Sequence, residues 1–209
     1  MADLAALTQA IEAGDRATAV RITAAAVEEG LDPQTVLDSM IAAMGTVGAR
    51  FQAGDIFVPE MLISARAMKE ATAVLAPSLE AAGVEPEHTA VIGTIAGDLH
   101  DIGKNLVGMM WKGSNLGVVD LGVNVSPAAF AAAVVEHGAS IVGISALLTT
   151  TMVGMKDAVD AVHAAAPSVK VIVGGAPVTP EFAAAIGADY YAPDAGAAAD
   201  VAREAIAAI

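Results

Sequence analysis

The residues best placed to do chemistry stand in one short run, Gly97-Asp98-Leu99-His100-Asp101-Ile102-Gly103, which sets one imidazole between two carboxylates with glycines outside them. An isolated histidine is by default a satisfied member of a polar loop. Here Asp98, two residues earlier, can accept a hydrogen bond from one ring nitrogen. Such a bond fixes the tautomer and raises the basicity of the other nitrogen, the arrangement found behind ligating imidazoles. A tetrahedral zinc site would need more ligands. Asp101 is near, but no second histidine stands at ligand spacing and the chain has no cysteine. One protein ligand suffices when a macrocycle supplies the rest, and His100 reads as a metal ligand of that kind.

Other candidate groups lie downstream. The hydroxyl run Thr149-Thr150-Thr151 is either a helix N-terminus or the source of a hydroxyl that extends the hydrogen-bond chain to Asp98. Gly174-Gly175 is either a tight turn or a place where backbone comes close to a bulky ligand. Gly93, Gly97 and Gly103 lack G-x-G-x-x-G spacing, which disfavours a dinucleotide. Ser145 has no G-x-S-x-G elbow around it and His163 falls within a helical stretch, so a serine hydrolase is disfavoured as well.

These residues must be held by the elements around them. Apolar, β-branched runs recur at 89–95, 117–121, 140–145, 169–173 and 188–191. Helical patterns fall between them near 103–113, 127–137, 152–165 and 180–186, with a last one from about 195. Ser126-Pro127 and Thr179-Pro180 are cap-plus-proline starts. Near-continuous apolar strands alternating with helices predict a parallel sheet covered on both faces, a Rossmann-like, flavodoxin-type α/β fold of order 2-1-3-4-5. That order puts the loops after strands 1, 3, 4 and 5 on one rim. Every unusual motif of this half of the chain lies there: Asp98 to Gly103, Ser145 to Thr151, Gly174-Gly175 and Tyr191 to Gly196.

The first part of the chain contains no strand pattern. Leu4, Leu7 and Ile11 start a helix that stops at Gly14-Asp15, and a second ends at Gly30. Asp32-Pro33 opens a third, carrying Leu37, Met40, Ile41, Met44, Val47 and Phe51. A fourth follows Pro59 with Met61, Ala65, Met68, Thr72, Leu75 and Leu79 on one stripe. Short connections predict a four-helix bundle. Phe57-Val58-Pro59 is different, because apolar residues in a turn are hard to bury within a bundle. The linker Ala82-Gly83-Val84-Glu85-Pro86-Glu87-His88 divides a helical domain, 1–84, from the α/β domain, 85–209.

Composition narrows the partners. With 24 acidic and 10 basic residues the formal charge is −14, which repels phosphate backbones and argues against nucleic acid. No apolar run approaches the ~20 residues that span a bilayer, and Met1-Ala2-Asp3-Leu4 does not resemble a signal peptide. The chain reads as soluble, cytoplasmic and free of membrane contact. Lacking cysteine, it has no disulfides, thiolate zinc sites or Cys-held iron–sulfur clusters.

Asp98-x-His100-x-x-Gly103, with Ser145-x-Leu147 and Gly174-Gly175 following in order, resembles the signature of cobalamin-binding domains. Phe57 to Lys69 resembles the helical cap of their methyl-transferring members, which include methionine synthase and the corrinoid proteins of methanol, methylamine and aryl-ether systems. The similarity runs from about Leu4 to Ala207. It implies a cobalamin or related corrinoid cofactor, cycling between cob(I)alamin and methylcobalamin in one-carbon metabolism. His100 would be the lower cobalt ligand, replacing the cofactor's own base, with Asp98 its hydrogen-bond partner and Thr151 the third relay member. Ser145 would touch the displaced base. Leu99 and Asp101 flank the ligand, while Ile102, Gly103, Leu147, Thr149, Gly174 and Gly175 would line the slot for the nucleotide tail. Phe57 and Met61 would face the upper side of the corrin.

The implied role is a methyl carrier, not catalytic alone. It would work between a substrate-specific corrinoid methyltransferase and a second methyltransferase acting on tetrahydrofolate or a thiol, with a reductive activating protein. Two departures from the family pattern, Trp111 to Asn115 and Asn124 in place of a frequent aspartate, bear on a partner surface rather than on the ligand motif. The alternatives are a cobalamin-dependent sensor or regulatory module, and a flavodoxin-like module holding another ligand.

Overall fold

The structure is a computed structural model. It describes residues 2–84 and 86–209, so the boundary expected at Glu85 lies outside the described residues, as does Met1. The chain divides into two compact units, Met1–Pro86 with Gly113–Asn115, and Glu87–Lys112 with Leu116–Ile209.

In the first unit the described residues form α1 (Leu4–Glu12), α2 (Arg16–Glu28), α3 (Pro33–Gln52) and α4 (Val58–Ala81). Aspartates set three of the starts: Asp3, Asp15 and Asp32 accept from the amides of Ala6, Thr18 and Thr35, groups that would otherwise lack a helical partner. The start of α4 is held differently, by the Phe57 amide donating to Glu60 Oε2 at 3.1 Å. α1 packs on α2 and α3, and α4 packs on α2 and α3. The apolar stripes Leu7–Ile11, Val36–Met40–Met44–Val47 and Met61–Ala65–Met68–Leu75 are buried. Burial of each large side chain contributes about 1.5–3 kcal/mol. Met61 therefore belongs to the core stripe of α4, at 1% exposure, as its place in the helical period predicts, and it is not exposed toward a ligand as the resemblance implied. The helical period that places it with Ala65 and Met68 turns it inward.

In the second unit β1 (Thr89–Thr94), β2 (Gly117–Asp120), β3 (Ile141–Ser145), β4 (Lys170–Gly174) and β5 (Tyr190–Ala192) pair in parallel, in the order β2-β1-β3-β4-β5. Connecting and closing helices are α5 (Ile102–Gly113), α6 (Pro127–His137), α7 (Thr149–Met152), α8 (Met155–Ala165), α9 (Pro180–Ala185) and α10 (Ala195–Ala207). The helix expected over 152–165 is two, because the threonine run makes a turn of its own before the chain restarts at Met155. β5 begins at Tyr190, later than expected. Asp189 just before it is engaged elsewhere, accepting from Val171 N at 2.9 Å and meeting His163 Nε2 at 2.9 Å.

Alternation along the strands builds two cores. Val91, Val142, Ile144, Val171 and Val173 point to one face, into a cluster with Phe130, Val134, Met155, Val159 and Val162 of α6 and α8. On the other face lies the chain's single tryptophan. A Cβ on Gly143 would stand 2.6 Å from the Trp111 ring, so the missing side chain makes room for the indole. Trp111 Nε1 donates to Ala198 O at 2.9 Å, tying α5 to α10. Trp111 is fully buried. It is a core residue and no part of a partner surface, because an indole placed over a glycine removes a large apolar area from water.

Candidate functional site

β1 and β3 are neighbours whose chains leave the sheet toward different helices, and a crevice at such a switch point is where open α/β sheets bind ligands. The loop after β1 brings Asp98 to this crevice, and the loop after β3 closes over it. Asp98 has no exposed surface, yet five donors meet its carboxylate. Oδ1 takes His100 Nδ1 at 2.7 Å and the His100 amide at 3.1 Å. Oδ2 takes the amides of Leu147 and Leu148 at 2.8 and 3.2 Å, and Thr151 Oγ1 at 2.7 Å. Burial alone would raise the Asp98 carboxyl. The Leu147 amide, the Thr151 hydroxyl and His100 outweigh it and hold the group well below the usual carboxylate range.

An ionised carboxylate only accepts hydrogen bonds, so the proton of the 2.7 Å contact resides on His100 Nδ1. The other ring nitrogen, Nε2, has no hydrogen-bond partner among the described residues. The ring is half exposed. Around it the loops present exposed apolar side chains, Leu99 and Ile102 beside the histidine and Leu147, Leu148 and Val153 from beyond β3. The site is thus a fixed nitrogen donor in an apolar setting open to solvent.

The remaining expected residues are placed as follows. Asp101, Thr149 and Gly103 are exposed, and a Cβ built on Gly103 meets nothing within 4 Å. Ser145 closes β3, half buried, and its hydroxyl makes no hydrogen bond among the described residues. Gly174 and Gly175 are required by the protein's own backbone. A Cβ at Gly174 would stand 2.6 Å from Ala192 O, and one at Gly175, where φ is +122°, 1.9 Å from Ala146 O. Phe57 is 68% exposed, on the turn before α4 in the helical unit.

Three contributors escaped the sequence reading. Backbone amides of Leu147 and Leu148 supply two of the five donors to Asp98, and a backbone group leaves no mark on residue type. Buried Thr94 donates from Oγ1 to His100 O at 2.9 Å, bracing the loop from below. Lys104, 3% exposed, places Nζ 2.7 and 2.5 Å from the two carboxylate oxygens of Asp120 and 2.7 Å from Asn105 Oδ1. A lysine one turn after the histidine was a visible signal, but its strand partner was not.

This donor set suits a metal already held by a macrocycle. Among the described residues no group of three or more His, Cys, Asp or Glu could hold an ion on its own. One fixed nitrogen, an apolar surround and an unbonded Ser145 hydroxyl fit a large, largely apolar cofactor with a polar heteroaromatic arm.

Comparison with known proteins agrees. A family described as a B12 binding domain matches residues 88–202, and a second B12 binding domain family matches residues 4–76. A corrinoid protein of Desulfitobacterium hafniense is 38% identical over 204 residues, covering 95% of this chain and 94% of that protein. Dimethylamine corrinoid protein 1 of Methanosarcina mazei is 38% identical over 188 residues, covering 86% and 87%. Among solved structures, the methanol:cobalamin methyltransferase complex of Methanosarcina barkeri aligns with a TM-score of 0.85 at 31% identity, covering 99% of this chain and 80% of that one. With a parallel 2-1-3-4-5 sheet, a buried aspartate fixing a single imidazole, and matches along both its helical and its α/β parts, the chain belongs to the B12-binding family of corrinoid proteins, and its cofactor is cobalamin or a related corrinoid.

Proposed function

We propose that this chain is the methyl carrier of a multi-component methyltransferase. It would shuttle between a substrate-specific corrinoid methyltransferase and a second methyltransferase acting on tetrahydrofolate or a thiol, with a reductive activating protein in support. The likeness to methylamine corrinoid proteins and to a methanol:cobalamin methyltransferase complex supports the first partnership. When bound, the corrinoid would supply the cobalt that carries the methyl group, and His100 would hold it. On this reading the chain binds and presents, and the partners hold the catalytic groups.

The observation that carries the reading is His100 Nε2, without a hydrogen-bond partner among the described residues, on a half-exposed ring anchored through Nδ1 at 2.7 Å to a buried aspartate. His100 is the proposed lower cobalt ligand. Asp98 keeps the proton on Nδ1 and Thr151 keeps Asp98 in place. Leu99, Asp101, Ile102, Gly103, Leu147 and Thr149 are proposed to line the cofactor on this side, with the free Ser145 hydroxyl meeting the displaced base near Gly174 and Gly175. Residues 1–84 are proposed as a cap domain and 85–209 as the binding domain. Exposed Phe57 is the proposed contact to the methyl-bearing face.

The test is a visible spectrum of protein reconstituted with methylcobalamin, wild type against His100→Ala. Distinct spectra are expected, with the wild type also distinct from free cofactor. A shared bound spectrum would sink the ligand assignment, and absence of binding by either protein would sink the carrier reading with it.

A further inference from the structure

The short segment that leaves β2, from Asp120 to Val125, is bonded to the histidine loop at successive points. Gly122 O accepts Thr94 N at 3.0 Å, Val125 N donates to Thr94 O at 2.9 Å, and Val125 forms an isolated parallel bridge with Ile95. Asn124 makes the last contacts before the chain turns into Asp98. Its side-chain Oδ1 accepts the Gly97 amide at 2.7 Å, and its own amide donates to Asp98 O at 3.0 Å. One residue thus holds both outward backbone groups of the Gly97-Asp98 dipeptide. It does so with φ at +56°, a left-handed conformation in which asparagine, aspartate and glycine are the tolerated residues. Nothing else in the described residues binds the Gly97 amide, and Gly97 itself has φ at +83°. The Asp98 amide is held separately, donating to Ile95 O at 3.1 Å, so what the Asn124 side chain anchors is the Gly97 amide.

We propose that Asn124 is a positioning residue for the cobalt-ligating imidazole: it locks the Gly97-Asp98 backbone, and through the Asp98 carboxylate it fixes where His100 Nε2 stands. The inference rests on the reading of His100 as the lower ligand. The role needs an acceptor at Oδ1 and a residue at ease in the left-handed region. Aspartate meets both needs. Glycine meets only the second, so Asn124→Gly removes the bond to Gly97 while leaving the backbone conformation unstrained.

The experiment compares wild type, Asn124→Gly, Asn124→Asp and His100→Ala as full chains. It reads amide hydrogen exchange at Gly97 without cofactor, then affinity and visible spectrum with methylcobalamin. Asn124→Gly is expected to speed Gly97 exchange, weaken methylcobalamin binding about fivefold, as for one lost hydrogen bond, and reduce the His100-dependent part of the spectrum. Asn124→Asp is expected to restore all three. An Asn124→Gly protein that matches wild type in affinity and spectrum, while His100→Ala differs, overturns the proposal alone. Failure of Asn124→Asp to restore the spectrum does so too. Identical spectra for wild type and His100→Ala overturn the ligand reading first, and this proposal with it.

Discussion

Thr151 Oγ1 lies 2.7 Å from Asp98 Oδ2, joining α7 to the loop after β1, 53 residues away in sequence, across the β1–β3 switch point. Replacing Thr151 by valine keeps the shape and removes the donor. Four contacts to Asp98 remain, so the expected cost is about 1 kcal/mol of stability. Asp98→Asn is expected to cost about 1–3 kcal/mol, because an amide nitrogen would face donors at one of its two ends. Urea unfolding of the cofactor-free protein should rank them wild type, Thr151→Val, Asp98→Asn. The reverse order for the two variants would contradict the view that Asp98 is the hub.

Lys104 is buried while Asp120, its partner, is 42% exposed. The two ends of this pair should therefore respond unequally. Lys104→Met leaves a carboxylate that water can reach, whereas Asp120→Ala leaves a buried ammonium with no counter-charge and only Asn105 Oδ1 as a hydrogen-bond partner among the described residues. Removing the partner of a buried charge costs about 3–5 kcal/mol, and partial relaxation of the lysine toward solvent would lower that figure. Thermal unfolding should show Asp120→Ala as the less stable variant.

The glycines separate packing from ligand contact. Gly175→Ala puts a Cβ 1.9 Å from Ala146 O at φ +122°, so marked destabilisation or failure to accumulate folded protein is expected. Gly103→Ala meets nothing within 4 Å and sits in the first turn of α5, where alanine is the better helix former. Its unfolding midpoint should equal or exceed wild type. Any loss of methylcobalamin affinity in Gly103→Ala then reports contact with the cofactor, measured by titration followed in the visible band.

Asp189 gives a pH dependence remote from the candidate site. Burial would raise its carboxyl, but the Val171 amide, His163 and Lys170 together lower it below the ordinary value of 3.8. A depressed folded-state pKa contributes stability at pH values above the unfolded pKa, and that contribution is lost as pH falls through the folded one. Wild type should thus exceed Asp189→Asn in stability at pH 6, with the gap closing below about pH 4. Unfolding midpoints across pH 2–6 check this, and a gap that widened on acidification would contradict it.

Much of this protein is determined locally and was legible along the chain. Helix starts at Asp15, Asp32, Ser126 and Thr179 depend on a side chain reaching an amide three residues on. Strand runs and their 2-1-3-4-5 order follow from apolar continuity and the geometry of parallel crossovers. The Asp98–His100 contact lies within one loop, two residues apart, so spacing alone could suggest it. What only the tertiary structure decided involves partners distant in sequence. Leu147 and Leu148 reach Asp98 through backbone amides, Lys104 finds Asp120 on the neighbouring strand, and Asn124 finds Gly97. The double glycine answers to Ala146 and Ala192, and Trp111 lies over Gly143 instead of meeting a partner. In each case the deciding quantity is a distance between strand ends or across the sheet. Residue type restricts which partners are chemically possible, and the register of β1, β3 and β4 selects among them.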